Sequence, residues 1–149
     1  RHSHGREIFA TFASMSDIFE IVGYALPENE RDVVPERMDV FEGYREMSVE
    51  EILNDPTIEA VSVETEEKYL TKYAQMAADA GKHIHMEKPG GLSLSDFEEL
   101  VATMKDDNDR IGHLLLLLNF IHEPSCVIAC RAVCRFGCHA KFVFTYRNK

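Results

Sequence analysis

The segment Gly81–Gly91, GKHIHMEKPGG, decides how the chain is read. A glycine closes one element, a short alternating run follows, and Glu87, Lys88 and Pro89 arrive together where the run stops. Pro89 fixes its own φ and restricts Lys88 to extended backbone, so the lysine side chain is aimed. Gly90 and Gly91 allow a ligand to approach the backbone closely. An acid and a base fixed at the end of a strand form a candidate site if that strand lies in an open parallel sheet, where ligands bind beyond the carboxyl ends.

The flanking pattern predicts such a sheet. Upstream, Tyr69, Leu70, Tyr73, Ala74, Ala77 and Ala80 share one helical face, and Gly81 is a good terminator for it. Before that helix, Ile58–Thr65 reads as a strand. Ser48 and Glu51 form a capping box that opens a helix ended by Asn54, Asp55 and Pro56. Further back come a helix over Gly5–Met15, a strand over Phe19–Leu26, a polar stretch broken by Pro35 and a short strand over Val40–Tyr44. Downstream, Ser95 and Glu98 predict a second capping box, followed by a strand around Leu114–Leu118, a helix over Pro124–Phe136 and a strand over His139–Tyr146. Regular alternation to residue 118 predicts an α/β fold, a doubly wound parallel sheet with helices on both faces. The alternation changes character near Asn119–Pro124. Residues 1–119 are therefore expected to form one Rossmann-like domain, and residues 120–149 to begin an α+β second domain.

The composition narrows the function. Apolar residues make up 45% of 149, enough for a core. The formal charge of −10 argues against a nucleic-acid partner and against docking on anionic lipid. No run reaches the ~18 apolar residues that a membrane span needs. No signal-peptide pattern is visible, so the four cysteines are expected to be thiols and the protein cytoplasmic.

AGKHIHMEKP, together with SVEEILNDPTIEAVSVET upstream, resembles the Gfo/Idh/MocA family of NAD(P)-dependent oxidoreductases. The correspondence runs from about Gly5 to Lys105 and continues more weakly to the chain end, where RFGCHAKFVFTY resembles the opening of the family's second domain. The resemblance implies NAD or NADP as cofactor and a small-molecule substrate of the sugar or polyol class. It also implies a homo-oligomer when the protein is intact. It places Lys88 beside nicotinamide and substrate as the catalytic residue; Gly5, Thr65, Glu87, Lys88 and Pro89 are the expected cofactor-binding residues, with Arg6 as a charge that could compensate nearby acids and Glu28 as either a weak substitute for the ribose acid or a solvated charge after Pro27. The family's acid/base pair lies deep in a second domain, so this chain alone is expected to be inactive.

The chain also departs from the family pattern. Gly5 matches the third glycine of the Gly-x-Gly-x-x-Gly fingerprint, but the second falls on His2 and the first precedes Arg1. The first strand is thus missing, and an apolar strand of roughly five to six residues is expected ahead of Arg1. The ribose-binding acid of the second strand is replaced by Leu26, with Glu28 two residues on. In place of Thr-Pro-Asn-x-x-His the chain has Thr65, Glu66, Glu67, Lys68, Tyr69 and Leu70. Two glutamates would repel a pyrophosphate unless Lys68 or Arg6 compensates, although both also suit a first helical turn. These departures favour a rival function, a non-catalytic Rossmann-like binding or interaction module. A third reading is a protein that uses NAD as a resident redox catalyst in bond cleavage, as some family members do.

Cys126, Cys130, Cys134 and Cys138 repeat every four residues, with His122 extending the series. Ligands along one helix cannot close a tetrahedron around one zinc, so packing is expected and no metal site. His83 and His85 lie on one face of their strand, either lining the cleft near Lys88 or packed beneath a helix. His2 and His4 fall near the expected phosphate loop.

Overall fold

The computed structural model describes residues 4–28, 35–106, 114–116 and 140–146. In chain order the elements are α1 (His4–Ser14), β1 (Phe19–Ala25), a 3-10 turn (Pro35–Phe41), β2 (Arg45–Glu46) and α2 (Val49–Asn54). There follow β3 (Ala60–Glu64), α3 (Glu67–Asp79), β4 (His83–Met86), α4 (Leu94–Asp106), β5 (Leu114–Leu116) and β6 (Ala140–Tyr146). The six strands form one parallel sheet in the order β2-β1-β6-β3-β4-β5.

That order is the doubly wound one, with β6 in the position that belongs to the first strand. β6 runs parallel to both neighbours, pairing Phe19–Ala25 on one side and Ala60–Glu64 on the other. Residues 140–146, read from the sequence as part of an incipient second domain, are thus a central strand of this sheet. The berth expected for a strand ahead of Arg1 is the one that they hold. The run Phe142-Val143-Phe144 is what a parallel strand covered on both faces requires.

Two apolar layers flank the sheet. On one face Ile8, Phe9 and Phe12 of α1, with Met15 just beyond it, pack with Phe19, Tyr24, Phe41 and Ala60. On the other Ile52, Leu70, Tyr73, Ala74, Ala77 and Leu100 from α2, α3 and α4 cover Val61, Val63, Ile84 and Met86. Alternation along β3 sends Ala60 to the α1 layer and Val61 and Val63 to the other.

Two local expectations are corrected. The strand expected over Val40–Tyr44 is the end of the 3-10 turn and a reversal, and strand structure begins only at Arg45. Gly43 has φ +87°, and the Tyr44 amide donates to the Phe41 carbonyl at 2.9 Å. Phe41 and Tyr44 instead place their rings edge-on against Phe9. The capping box of α2 forms as read, with Ser48 and Glu51 bonded reciprocally. That of α4 does not, because the helix begins one residue before Ser95. Ser93 takes the role, its hydroxyl accepting from the Asp96 amide at 3.3 Å and donating to the Asp96 carboxylate at 2.7 Å.

Among the described residues no helix is long and apolar enough to cross a membrane. The expected helix over Pro124–Phe136 and the cysteine series lie outside the described residues.

Candidate functional site

Winding reverses across the β6–β3 boundary: β1 and β2 lie to one side, β4 and β5 to the other. The crevice over the carboxyl ends at such a switch point is where an open α/β sheet binds its ligand. Four of the residues proposed from the sequence sit on this rim. Thr65 follows β3 and is buried. Glu87, Lys88 and Pro89 follow β4.

β4 fixes the Lys88 segment through its ladder with β3, which the Glu87 amide extends by donating to the Val63 carbonyl at 3.1 Å. The Glu87 carboxylate accepts the Lys88 backbone amide at 2.8 Å, so it holds the turn. The Lys88–Pro89 bond is cis. Lys88 is half-buried, and its ammonium forms no ion pair among the described residues. A half-buried cation at a strand's carboxyl end, without an anionic partner among the described residues, is available to a ligand. Behind it, Gly90 and Gly91 have φ of +93° and +104°. Thr71 of α3 donates to the Gly90 carbonyl at 3.0 Å, and a Cβ on Gly91 would collide with the Thr71 hydroxyl. The two glycines therefore serve close packing of the loop on α3 as well as access.

The residues expected at the phosphate loop divide. Gly5 is buried in the first turn of α1. The Arg6 guanidinium is engaged by Asp39 at 2.6 Å, drawn towards the 3-10 turn rather than towards Glu66. Lys68 supplies the expected compensation for Glu66, at 2.8 Å. Glu67 begins α3 and favours its dipole. Leu70, where the family pattern has a histidine, is a fully buried core residue.

Leu26 packs against the α1-side layer, which explains why no acid stands there. Glu28, beyond it, accepts from Lys72 Nζ at 2.8 Å and from the Tyr73 hydroxyl at 2.7 Å. These bonds, Lys72 first, hold the Glu28 carboxyl below its ordinary range. The same contact raises Lys72. Burial, and then Glu28, push the Tyr73 phenol up to about 12, so it remains a donor.

Two buried polar groups involve partners that sequence reading did not name. On the α1 side of the sheet, Ser62 Oγ lies 2.8 Å from His85 Nδ1, with a Glu64 oxygen at 3.8 Å and the Phe12 ring edge-on to the imidazole. Burial pushes His85 down to about 4, so it is neutral at physiological pH. Of the two histidine readings, packing under a helix is the one His85 follows. The signal available in the sequence was a serine and a glutamate inside a β-branched strand. The second group is Lys82, also buried, which donates to the carbonyls of Asp55 at 2.6 Å and Ile58 at 2.9 Å. Burial lowers its pKa. It ties the start of β4 to the turn before β3.

In kind these residues fit a dinucleotide: an acid beyond β1, a hydroxyl beyond β3 and a cation beyond β4. Among the described residues no group of three or more His, Cys, Asp or Glu could hold a metal ion.

Comparison with known proteins agrees with this geometry. A model described as an oxidoreductase family with NAD-binding Rossmann fold, GFO_IDH_MocA, matches residues 3–113. A 1,5-anhydro-D-fructose reductase from Ensifer adhaerens is 37% identical over 65 residues, covering 44% of this chain and 20% of that protein. The chain thus spans about a fifth of the length of the curated relatives it matches. Among solved structures, biliverdin reductase from Synechocystis sp. PCC 6803, in complex with biliverdin and NADP+, has a TM-score of 0.61 at 21% identity, over 78% of this chain and 34% of that one. KijD10, a 3-ketoreductase from Actinomadura kijaniata in complex with TDP-benzene and NADP, has 0.60 at 20% identity, over 84% and 38%. At these identities the structural likeness shows the fold.

Proposed function

The chain belongs to the Gfo/Idh/MocA family of NAD-binding Rossmann-fold oxidoreductases, and on that premise we propose that it is the nucleotide-binding part of an NAD(P)-dependent enzyme. The reaction is hydride transfer between the cofactor and a sugar, polyol or related hydroxy or carbonyl compound. When bound, the nicotinamide supplies the hydride acceptor or donor. The observation that carries the reading is Lys88, a half-buried ammonium with no ion pair among the described residues, at the rim of the switch-point crevice.

Lys88 holds the substrate oxygen and stabilises charge that develops there during hydride transfer. Glu87 keeps the lysine in place by binding its backbone amide. Thr65 and Gly5 line the path of the cofactor, and Pro89 with the two glycines shapes the turn behind it. In this reading the proton is moved by a residue of the family's second domain. The intact protein is a cytoplasmic homo-oligomer in this reading.

A second reading is a Rossmann-like binding or interaction module without catalysis. The burial of Leu70 in the core, where the family carries a histidine, favours it.

Titration with NADH and with NADPH, followed by nicotinamide fluorescence, separates the two. The enzyme reading predicts saturable binding of at least one cofactor, weakened about tenfold or more in Lys88→Ala. Absence of binding by both supports the module.

A further inference from the structure

β6 joins the two halves of the sheet. β1 and β2 lie to one side of it and β3, β4 and β5 to the other, and among the described residues no ladder runs from β1 to β3. Side-chain packing above and below spans the berth without it. On one face the Phe12 ring meets Phe19 of β1 at 4.8 Å and His85 of β4 at 5.6 Å, both edge-on. On the other, Ala25 and Met47 share an apolar cluster with Val61 and Ile84. The fit of β6 is set from one side. Its pairing with β3 is continuous from Ala60 to Glu64, whereas its pairing with β1 slips between Ile21 and Gly23. β6 comes after β5 in the chain but lies past β4 and β3 in the sheet, about 14 Å away at about 4.8 Å per strand. Residues 117–139 connect the two, a length that reaches at most about 80 Å at about 3.5 Å per residue. That length does not tie β6 to the berth of its own sheet, because the berth of a neighbouring copy is also within reach.

We infer that the berth between β1 and β3 is an interaction site for a parallel strand supplied in trans, and that its partner is β6 of a second copy of this chain, the two copies exchanging residues 140–146. Main-chain bonds hold such a strand, as in other strand additions. The berth is selective, because it takes a strand of one direction and covers both of its faces, which suits the apolar run Phe142-Val143-Phe144. Reciprocal exchange leaves each sheet with the same two ladders, so no backbone hydrogen bond is lost, and the two-fold relation closes the pair with both berths filled. What remains is the cost of association, which falls as the protein is concentrated. The formal charge of −10 on each chain opposes the pairing, and salt screens it. The inference concerns the sheet alone and does not rest on the dinucleotide site.

The test uses the full chain, refolded under reductant so that cysteines do not link copies, at about 5 μM and about 500 μM in about 0.5 M salt. Light scattering after size exclusion is expected to show monomer at the lower concentration and at least about one third dimer at the higher. A synthetic peptide of residues 139–147, present in excess during refolding, is expected to compete for the berth and lower the dimer yield at least about twofold. The same peptide carrying Val143→Pro cannot complete the ladders and is expected to leave the yield unchanged. In the Val143→Pro chain, whose own strand is impaired, the unaltered peptide is expected to restore cooperative thermal unfolding. Should that variant not fold even with peptide, the competition in the unaltered chain decides. A chain that stays monomeric at about 500 μM would overturn the inference. So would a dimer whose yield the two peptides change equally or not at all, since its interface would lie elsewhere.

Discussion

Lowering the pH from 7 to 5 should destabilise the fold through a single imidazole. Burial beneath α1 lowers His85 from 6.5 to about 4. The unfolded chain therefore takes up a proton near 6.5, which the folded chain refuses until about 4. Across that window the unfolded state binds more protons, so stability falls as pH falls. Below about 4 both states are protonated and the loss stops growing. At pH 5 about 1.5 pH units of this window have been crossed, which at about 1.4 kcal/mol per unit amounts to about 2 kcal/mol. The groups facing the ring are the Ser62 hydroxyl, the Glu64 carboxylate and the Phe12 ring. Urea unfolding monitored by circular dichroism at pH 7, 6 and 5 measures the effect. His85→Gln, which cannot take a proton, should be less stable at pH 7 but should lose under a quarter as much on acidification. If the variant does not fold, imidazole titration by NMR in the unaltered protein serves instead, and no protonation of His85 is expected above pH 5. Equal pH dependence in the two proteins, or an imidazole that titrates near 6.5 in the folded state, would refute the reasoning.

Three further outcomes follow from the packing. Val143→Pro breaks a ladder in the middle of the sheet and should cost about 3 kcal/mol or more, read as loss of cooperative thermal unfolding; an unchanged midpoint would place residues 140–146 outside the sheet. Lys82→Met removes the donor to the Asp55 and Ile58 carbonyls and should cost about 2 kcal/mol in urea unfolding, whereas no loss would mean that water replaces the ammonium. Gly91→Ala forces a Cβ against the Thr71 hydroxyl at φ +104° and should lower stability by about 2 kcal/mol, with partial recovery when Thr71→Ala is added.

Local rules read well where local chemistry decides. Ser48 and Glu51 cap α2 because the motif sits directly before an apolar turn. Gly81 ends α3 with φ +69°. They failed where tertiary packing overrode them. Phe41 and Tyr44 have strand propensity, yet their rings are drawn into the Phe9 cluster and the backbone turns. Ser93 caps α4 instead of Ser95 because the two serines lie two residues apart, and only geometry tells them apart. The strand over Ala140–Tyr146 was legible, but its place was not, because a strand's sequence carries no address for its neighbours.

The candidate site was legible in the same uneven way. Lys88 stood out because Pro89 and the glycines mark a turn at a strand end. Glu28 could be singled out as an acid in roughly the right place. Its anchors, Lys72 and Tyr73, could not, since they lie more than forty residues away along the chain and Tyr73 also reads as part of an apolar helix face. Lys82 reads as an ordinary exposed lysine until Asp55 and Ile58 are brought beside it.

The account rests on a dinucleotide occupying the crevice over β6 and β3, between the Glu28 end of β1 and the Lys88 end of β4. Amide hydrogen exchange with and without saturating NADH measures this directly. Protection confined to residues about 4–6, 26–28, 64–67 and 87–91 is the predicted footprint. A footprint elsewhere, or none, would contradict it.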